Sequence, residues 1–124
     1  MKHTPLLALL ALAACTSFPA APATAGTPTA ALNKTAYVGF WSIKPIAVLE
    51  DSRCPKSVQC VWAGQVRIRA KVMSRGRREV RELTLAQPIT VAGGTLTLVD
   101  VQPPRLRPGP IDPRHYRFTF RFTR

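Results

Sequence analysis

A strict alternation of apolar and polar side chains constrains the fold of this chain more than any other feature. In the last strand-like segment, Tyr116, Phe118, Phe120 and Phe122 alternate with arginine and threonine, and residues 65–73 (QVRIRAKVM) repeat the pattern with aliphatic and basic residues. Successive side chains of a β-strand point to opposite faces, so this period predicts strands with an apolar inner face and a basic outer face. No segment shows the 3.6-residue period of an amphipathic helix.

Turn-forming residues divide the rest of the chain into short strands. The residues SRGR (74–77) separate QVRIRAKVM from REVRELTLA, and the Gly93-Gly94 pair separates PITV from TLTLVDV. We expect positive φ at both of these glycines, as in a tight primed turn. KTAYVGF and IKPIAVLED predict two more strands, whereas the five prolines of residues 102–115 predict a stiff crossing loop. Six or seven strands in about 90 residues predict an all-β domain, a small antiparallel β-sandwich or barrel.

The N-terminus has the anatomy of a secretion signal. Lys2 precedes an apolar run at residues 6–14, which is shorter than the roughly 20 residues of a membrane-spanning helix. The run ends in LAAC, and small residues directly before a cysteine are typical of a bacterial lipobox. We therefore expect residues 1–14 to be a lipoprotein signal peptide and Cys15 to carry the lipid. Ordinary cleavage after the A-x-A pattern at residues 23–25 is the alternative.

The residues after the lipobox predict a spacer and then a single domain. Residues 15–33 carry no charge and few large apolar side chains, so we expect a flexible Ala/Thr/Pro spacer. Residues 34–124 are long enough for one β-domain with one core. Because Thr16 rather than aspartate follows Cys15, the expected location is the periplasmic face of the outer membrane.

The charge of the chain is strongly positive. It has 18 Lys and Arg residues against 6 Asp and Glu residues, a formal net charge of +12. Such a charge favours anionic partners, here lipopolysaccharide or another envelope polyanion. The candidate polyanion-binding residues are Arg67, Arg69, Lys71, Arg117 and Arg121. The alternative is that these arginines are solvated strand faces. Nucleic acid is not expected, because these residues are not interleaved with exposed aromatic side chains.

The segment EDSRCPKSVQCVWAG (50–64) contains Cys54 and Cys60. In an exported protein, two remaining cysteines usually form a disulfide. A metal site would need more ligands and a different spacing, and a redox dithiol is usually C-x-x-C, so we expect a structural disulfide, no metal and no cofactor. A seven-residue ring predicts about 2–2.5 kcal/mol of stabilisation. We expect Val61 and Trp62 to offer apolar area beside the sulfurs, and Gly64 to turn the chain into the next strand.

Four charged residues flank the cysteine loop. Glu50, Asp51, Arg53 and Lys56 are candidates for an interaction rim around it. The alternative is that Asp51 accepts loop N–H groups in an Asx-type turn while Arg53 pairs with a nearby carboxylate.

The cysteine segment resembles a group of short exported bacterial proteins and lipoproteins, mainly uncharacterised, that share the motif DSRCP-x(4)-C-x-W-A-G. A later segment of that group reads L-x-x-V-x-P-x-P, followed by Tyr-Arg before the last strand. The residues here that fit this second pattern are Leu98, Val101, Pro103, Tyr116 and Arg117. The second proline is displaced to Pro104, so this part is looser. The resemblance covers most of residues 35–123; it implies an exported protein and no particular activity.

The sequence contains no recognisable catalytic constellation. His115 lies beside Arg114 at the start of the aromatic strand, and no triad pattern, G-x-S-x-G, H-E-x-x-H or glycine-rich phosphate loop is present. We therefore predict a non-catalytic envelope lipoprotein domain, a structural or protein-interaction module. A binder of anionic envelope polymers is the alternative.

Overall fold

The computed structural model describes residues 28–124, and within them it consists of β-strands and one short 3-10 helix. The strands are β1 Thr29–Ala30, β2 Ala36–Val38, β3 Trp41–Asp51, β4 Val66–Ser74, β5 Arg77–Thr84, β6 Ile89–Val91, β7 Gly94–Gln102 and β8 Arg117–Thr123; the 3-10 helix is Pro113–His115. The predicted all-β class is confirmed. No helix in residues 28–124 is long and apolar enough to cross a membrane.

The strands form two antiparallel sheets of four strands each. One sheet has the order β1-β8-β7-β6 and the other the order β2-β3-β4-β5. The sheets are separate hydrogen-bonded units with a shared core, so of the two predicted architectures the structure has the sandwich.

The core lies between the sheets and is built by the alternation seen in the sequence. Ile68 faces inward beside Leu83 in one sheet, and Leu98 faces inward beside Phe120 in the other. All four side chains are completely buried. Burial of such side chains contributes about 1.5–3 kcal/mol each, which makes this layer the main source of stability.

The first strand lies inside the segment that we expected to be spacer. Thr29–Ala30 pairs with Thr119 and Phe118 of β8, and Ala30 is buried in the core. The folded part therefore begins before Lys34, and the strand count is eight rather than six or seven. A two-residue strand is too short to show any period, which is why the alternation did not reveal it. The predicted signal peptide and Cys15 lie outside the described residues.

The two hairpin turns differ in their backbone conformation. In the β4–β5 turn both central residues, Arg75 and Gly76, have positive φ, at 46° and 79°, as a primed turn requires. In the β6–β7 turn Val91 pairs with Gly94, so the central residues are Ala92 and Gly93. Only Gly93 has positive φ, and the expectation for Gly94 is wrong. A Cβ on Gly94 would instead overlap the carbonyl oxygen of Thr123, which explains the need for glycine there.

The long strands connect two opposite ends of the sandwich. The cysteine end comprises residues 51–65 and the crossing loop, residues 103–116. The hairpin end comprises residues 37–41, the β4–β5 and β6–β7 turns, and residues 123–124. β3 joins the two ends, because Trp41 begins it at the hairpin end and Asp51 ends it at the cysteine end.

Candidate functional site

The cysteine loop is an extension of the β3–β4 hairpin beyond the sheet. The N–H of Ser52 donates to the carbonyl of Gln65 at 2.8 Å, and the N–H of Cys54 donates to that of Ala63 at 3.0 Å. Cys54 and Cys60 form a disulfide, as predicted. Gly64 has φ +73°, and a Cβ there would overlap the carbonyl of Ser52. Only glycine fits where the returning chain passes so close.

The crossing loop braces the cysteine loop from the side. Backbone N–H groups of Lys56 and Ser57 donate to the carbonyls of Arg105 and Leu106, at 3.0 and 3.1 Å. The Arg105 guanidinium in turn donates to the carbonyls of Asp51 and Arg53, at 2.8 and 3.3 Å. The two loops are thus held together by main-chain and side-chain bonds.

A largely buried ionic network lies beneath the loop. Arg53 makes a bidentate pair with Asp51 through Nε at 2.9 Å and Nη2 at 2.8 Å. The hydroxyl of Tyr116 donates to the same carboxylate at 2.7 Å, and Arg53 Nη1 donates to the carbonyl of Val101 at 3.0 Å. The side chains of Arg53 and Asp51 are only 16% and 10% exposed. The network therefore links β3, β7 and the start of β8.

The network shifts the titration of its members. Burial raises the pKa of Asp51, but hydrogen bonds from Arg53 and Tyr116 outweigh it, so this pKa lies below its ordinary value. Burial and the hydrogen bond to Asp51 raise the pKa of Tyr116 to about 12. The hydrogen bond to Asp51 raises the pKa of Arg53. At neutral pH the network holds a carboxylate, a guanidinium and a neutral phenol, which is a structural arrangement and provides no group poised for proton transfer.

The interaction rim predicted from the sequence divides into three environments. Asp51 and Arg53 are engaged in the network, so they do not belong to an exposed rim; the pairing of Arg53 follows the alternative interpretation. Glu50 accepts from Gln65 at 2.8 Å and Arg67 at 3.1 Å, and these two hydrogen bonds lower its pKa. Lys56 is exposed.

The tip of the cysteine loop displays apolar side chains to solvent. Val61 is fully exposed and Trp62 is 80% exposed, and Val58 of the same loop and Leu106 of the crossing loop are also exposed. The apolar area that we expected Val61 and Trp62 to offer is open to solvent. The hairpin extension carries both residues past the edge of the core, so no core surface is available to cover them. We call these four residues the apolar tip.

The five candidate polyanion-binding residues do not form one surface. Arg67, Arg69 and Lys71 lie on the outer face of β4, whereas Arg117 and Arg121 lie on the outer face of β8 in the other sheet. The sandwich core separates the two groups. Arg67 is also occupied, because it forms ion pairs with Glu50 and Glu82 at 3.1 Å each.

A second basic cluster lies at the hairpin end, and sequence reasoning did not single it out. The Cζ atoms of Arg75 and Arg124 lie 4.7 and 5.1 Å from the ring centroid of Phe40. Arg77 and Trp41 complete one side of a cleft of about 500 Å³. A neighbouring depression adds Tyr37 and Arg78. The run RGRR (75–78) on a hairpin turn was the sequence signal, but nothing in the sequence showed that Phe40 and Arg124 would join it.

Within residues 28–124, no group of three or more His, Cys, Asp and Glu side chains could hold a metal ion. His115 ends the 3-10 helix and is exposed. Asp112 caps this helix by accepting from the N–H of Arg114 at 2.9 Å. These residues form a local turn.

Comparisons with protein-family models, with curated proteins and with solved structures found no match to this chain. The interpretation of the two ends therefore depends on their geometry and chemistry.

Proposed function

We propose that this chain is a non-catalytic, lipid-anchored envelope domain that binds another envelope protein through the apolar tip. The observation that carries the proposal is the exposure of Trp62 and Val61 at the end of a disulfide-closed loop. Tryptophan is among the residues most enriched at the energetic centres of protein interfaces. Exposed clusters of large apolar side chains mark interaction surfaces when they are contiguous.

The rigidity of the loop supports binding rather than accidental exposure. The disulfide, the bonds from Lys56 and Ser57 to the crossing loop, and the Asp51–Arg53 pair all restrict the tip before any partner arrives. A preorganised surface loses less conformational entropy on association, so more of the burial of Trp62 contributes to affinity.

The chemistry of the tip specifies the kind of surface that would cover it. The exposed side chains of the apolar tip would be covered best by an apolar pocket on the partner. Lys56 and Arg107 are exposed on the cysteine loop and the crossing loop, and an acidic margin around that pocket would complement them. The partner is therefore a protein with a hydrophobic pocket bordered by carboxylates.

An exported location is part of the same proposal. The Cys54–Cys60 disulfide is typical of an oxidising compartment. Lipidation at Cys15 would tether the domain to the membrane and leave the tip free to meet a second protein. Cys15→Ala is expected to release the domain from the membrane fraction, and continued membrane association of that variant would refute the lipid as the tether.

Site-specific photo-crosslinking in the native envelope tests the proposed interface. A photoreactive residue in place of Val61 is expected to give a discrete protein adduct. The same residue in place of Val80, an exposed valine on the outer face of β5, should give none and serves as the matched control. Trp62→Ser in the Val61-substituted chain should abolish the adduct.

Two outcomes would overturn the proposed interface. Equal adducts from positions 61 and 80 would indicate general stickiness. Adducts that are removed by phospholipase rather than by protease would identify the bilayer as the occupant of the tip.

A further inference from the structure

The arginines of the hairpin end form no ion pair in the described part of the chain, unlike four other arginines. Within residues 28–124, ion pairs occupy Arg53, Arg67, Arg81 and Arg114. No carboxylate side chain of these residues pairs with Arg75, Arg77, Arg78 or Arg124, and none lines the cleft that contains Arg75 and Arg124. Arg75, Arg77 and Arg124 line this one cleft, and three positive charges in a concave region produce a local field that attracts anions.

Aromatic contacts hold two of these guanidinium groups in place. Arg75 and Arg124 both lie over Phe40, although they come from the β4–β5 turn and from the residue after β8. Cation–π contacts of this kind stabilise the side-chain rotamers that place both guanidinium groups over the ring. Because the ring already holds the two guanidinium groups together, their side chains lose less conformational entropy when an oxyanion binds.

The conformation of Arg75 points the same way. Its φ of 46° lies in the left-handed region, which asparagine and glycine adopt more readily than arginine. An arginine at this position costs stability in the turn. An arginine here nevertheless places its guanidinium over Phe40 beside the cleft. Backbone strain of this kind occurs most often at functional sites.

We propose that the hairpin-end cleft binds anionic glycans, through phosphate or sulfate groups held by Arg75, Arg77 and Arg124, with a sugar ring against Tyr37. Guanidinium groups bind such oxyanions with paired, charge-assisted hydrogen bonds. Tyr37 is 76% exposed beside the arginines and offers a free aromatic face. This site is separate from the apolar tip, and the proposal does not depend on the proposed protein interface.

The surroundings of the cleft favour a glycan over other polyanions. A single-stranded nucleic acid needs several free aromatic faces for successive bases, whereas the ring of Phe40 is already covered by guanidinium groups. A flat bilayer would not enter a recess between two hairpins, so the arginines inside the cleft would stay out of reach of lipid headgroups in a planar surface. The disulfide indicates an oxidising compartment, where charged glycans are the accessible polyanions.

Isothermal titration calorimetry of the full domain tests the site, at about 0.15 M salt to suppress long-range attraction. The probes are a sulfated heparin tetrasaccharide and a deacylated lipopolysaccharide core oligosaccharide, which distinguish sulfate from phosphate as the preferred group. Maltotetraose is the neutral control. The parent is expected to bind at least one anionic probe and to ignore maltotetraose.

Two charge-matched double variants separate the cleft from general basicity. Arg75→Asn with Arg124→Ser removes two charges from the cleft, and Arg69→Ser with Lys71→Ser removes two from the outer face of β4. The cleft variant is expected to lose about tenfold or more in affinity, which corresponds to about 1.4 kcal/mol. The affinity of the face variant should fall about twofold or less, because this variant removes only a long-range electrostatic contribution that salt screens. Asparagine suits the turn, so the cleft variant should remain folded.

Three results would overturn the proposal. Equal losses in the two variants would show that only net charge matters. An absence of binding by the parent to either anionic probe would exclude the glycan class. Tighter binding to a single-stranded oligonucleotide or to anionic phospholipid vesicles, lost in the same cleft variant, would assign the cleft to that other polymer or surface.

Discussion

Arg53 at the cysteine end and Arg75 at the hairpin end use the same side chain in opposite ways. Arg53 is largely buried and directs its guanidinium inward, to the carboxylate of Asp51 and the carbonyl of Val101. Arg75 lies on an exposed turn over Phe40, with no carboxylate to pair with. An arginine acts as an internal cross-link where acceptors converge on it and remains available to a ligand where they do not. Net charge alone does not distinguish the two roles.

The two tryptophans differ in the opposite way: the one at the hairpin end is buried and the one at the cysteine end is exposed. Trp41 begins β3 at the hairpin end and is 4% exposed, whereas Trp62 at the cysteine end is 80% exposed. Trp41 therefore contributes to the core, whereas the indole of Trp62 is open to solvent. Each end therefore combines buried side chains that support the fold with exposed side chains, which are apolar at the cysteine end and cationic at the hairpin end.

The largest expected effect comes from removing a carboxylate charge at the cysteine end, compared with removing one from β5. Asp51→Asn leaves the charge of Arg53 largely buried without its partner, and we expect a loss of about 3 kcal/mol in the free energy of unfolding. Glu79→Gln breaks the more exposed Arg81–Glu79 pair and should cost less than about 1 kcal/mol. Chemical denaturation of both variants measures the difference. Losses of the same size would contradict the structural role given to the network.

Cys54→Ser is expected to lower the free energy of unfolding by about 2–2.5 kcal/mol under oxidising conditions. Reductant should have the same effect on the parent and no effect on the variant. Thermal unfolding followed by circular dichroism makes the comparison. Free thiols at both positions in the exported protein, detected by mass spectrometry, would refute the disulfide.

Tyr116→Phe isolates one hydrogen bond of the network. A bond to a charged acceptor contributes about 1.5 kcal/mol, and we expect a loss of that size at neutral pH. The effect should also depend on pH. The raised pKa of Tyr116, about 12, stabilises the fold fully below the ordinary tyrosine pKa near 10, and this contribution disappears as the pH rises toward 12.

At low pH the dependence of the free energy of unfolding on pH has the opposite sign. The pKa of Asp51 is depressed, so its contribution is present above the ordinary aspartate pKa, near 4, and is lost as the pH falls through the lower folded value. A pH series of denaturation curves for the parent, Tyr116→Phe and Asp51→Asn should show the alkaline loss missing in the first variant and the acid loss reduced in the second. A parent-like pH profile in both would contradict the assignment.

The smallest expected change is a gain at the hairpin end. Arg75→Asn should stabilise the domain by up to about 1 kcal/mol, because asparagine adopts the left-handed region more readily. Arg77→Asn is the matched control, because Arg77 begins β5 and lacks positive φ; it should give no gain. A loss of stability in Arg75→Asn would mean that the contact with Phe40 outweighs the turn strain.

Most of the fold was predictable because the period-two alternation is local and strong. It placed the strands of both sheets, and turn residues such as Gly76 and Gly93 separated them. Thr29–Ala30 was missed because two residues carry no period, and its place in the sheet depends on β8, ninety residues away in the sequence. The disulfide was predictable once the export signal set Cys15 aside and left Cys54 and Cys60 as the two remaining cysteines.

The candidate sites were less predictable because they depend on contacts between distant segments. The Asp51–Arg53 pairing was one of two local interpretations, but nothing in the sequence placed Tyr116 on the same carboxylate. The apolar area of Trp62 was expected beside the cysteines, but its exposure depends on how far the hairpin extends beyond the sheet. The split of Arg69 and Arg121 onto different sheets required the strand order.

Thermal unfolding with and without the anionic tetrasaccharide tests the central contrast between the two ends most directly. We expect Tyr116→Phe to lower the Tm of the free protein but to keep the Tm increase caused by the ligand. We expect the Arg75→Asn, Arg124→Ser variant to show no decrease in the free Tm and to lose the ligand-induced increase. If both variants change the free Tm and the ligand-induced increase in the same proportion, the arginines of the two ends do not have separate roles, and the account is contradicted.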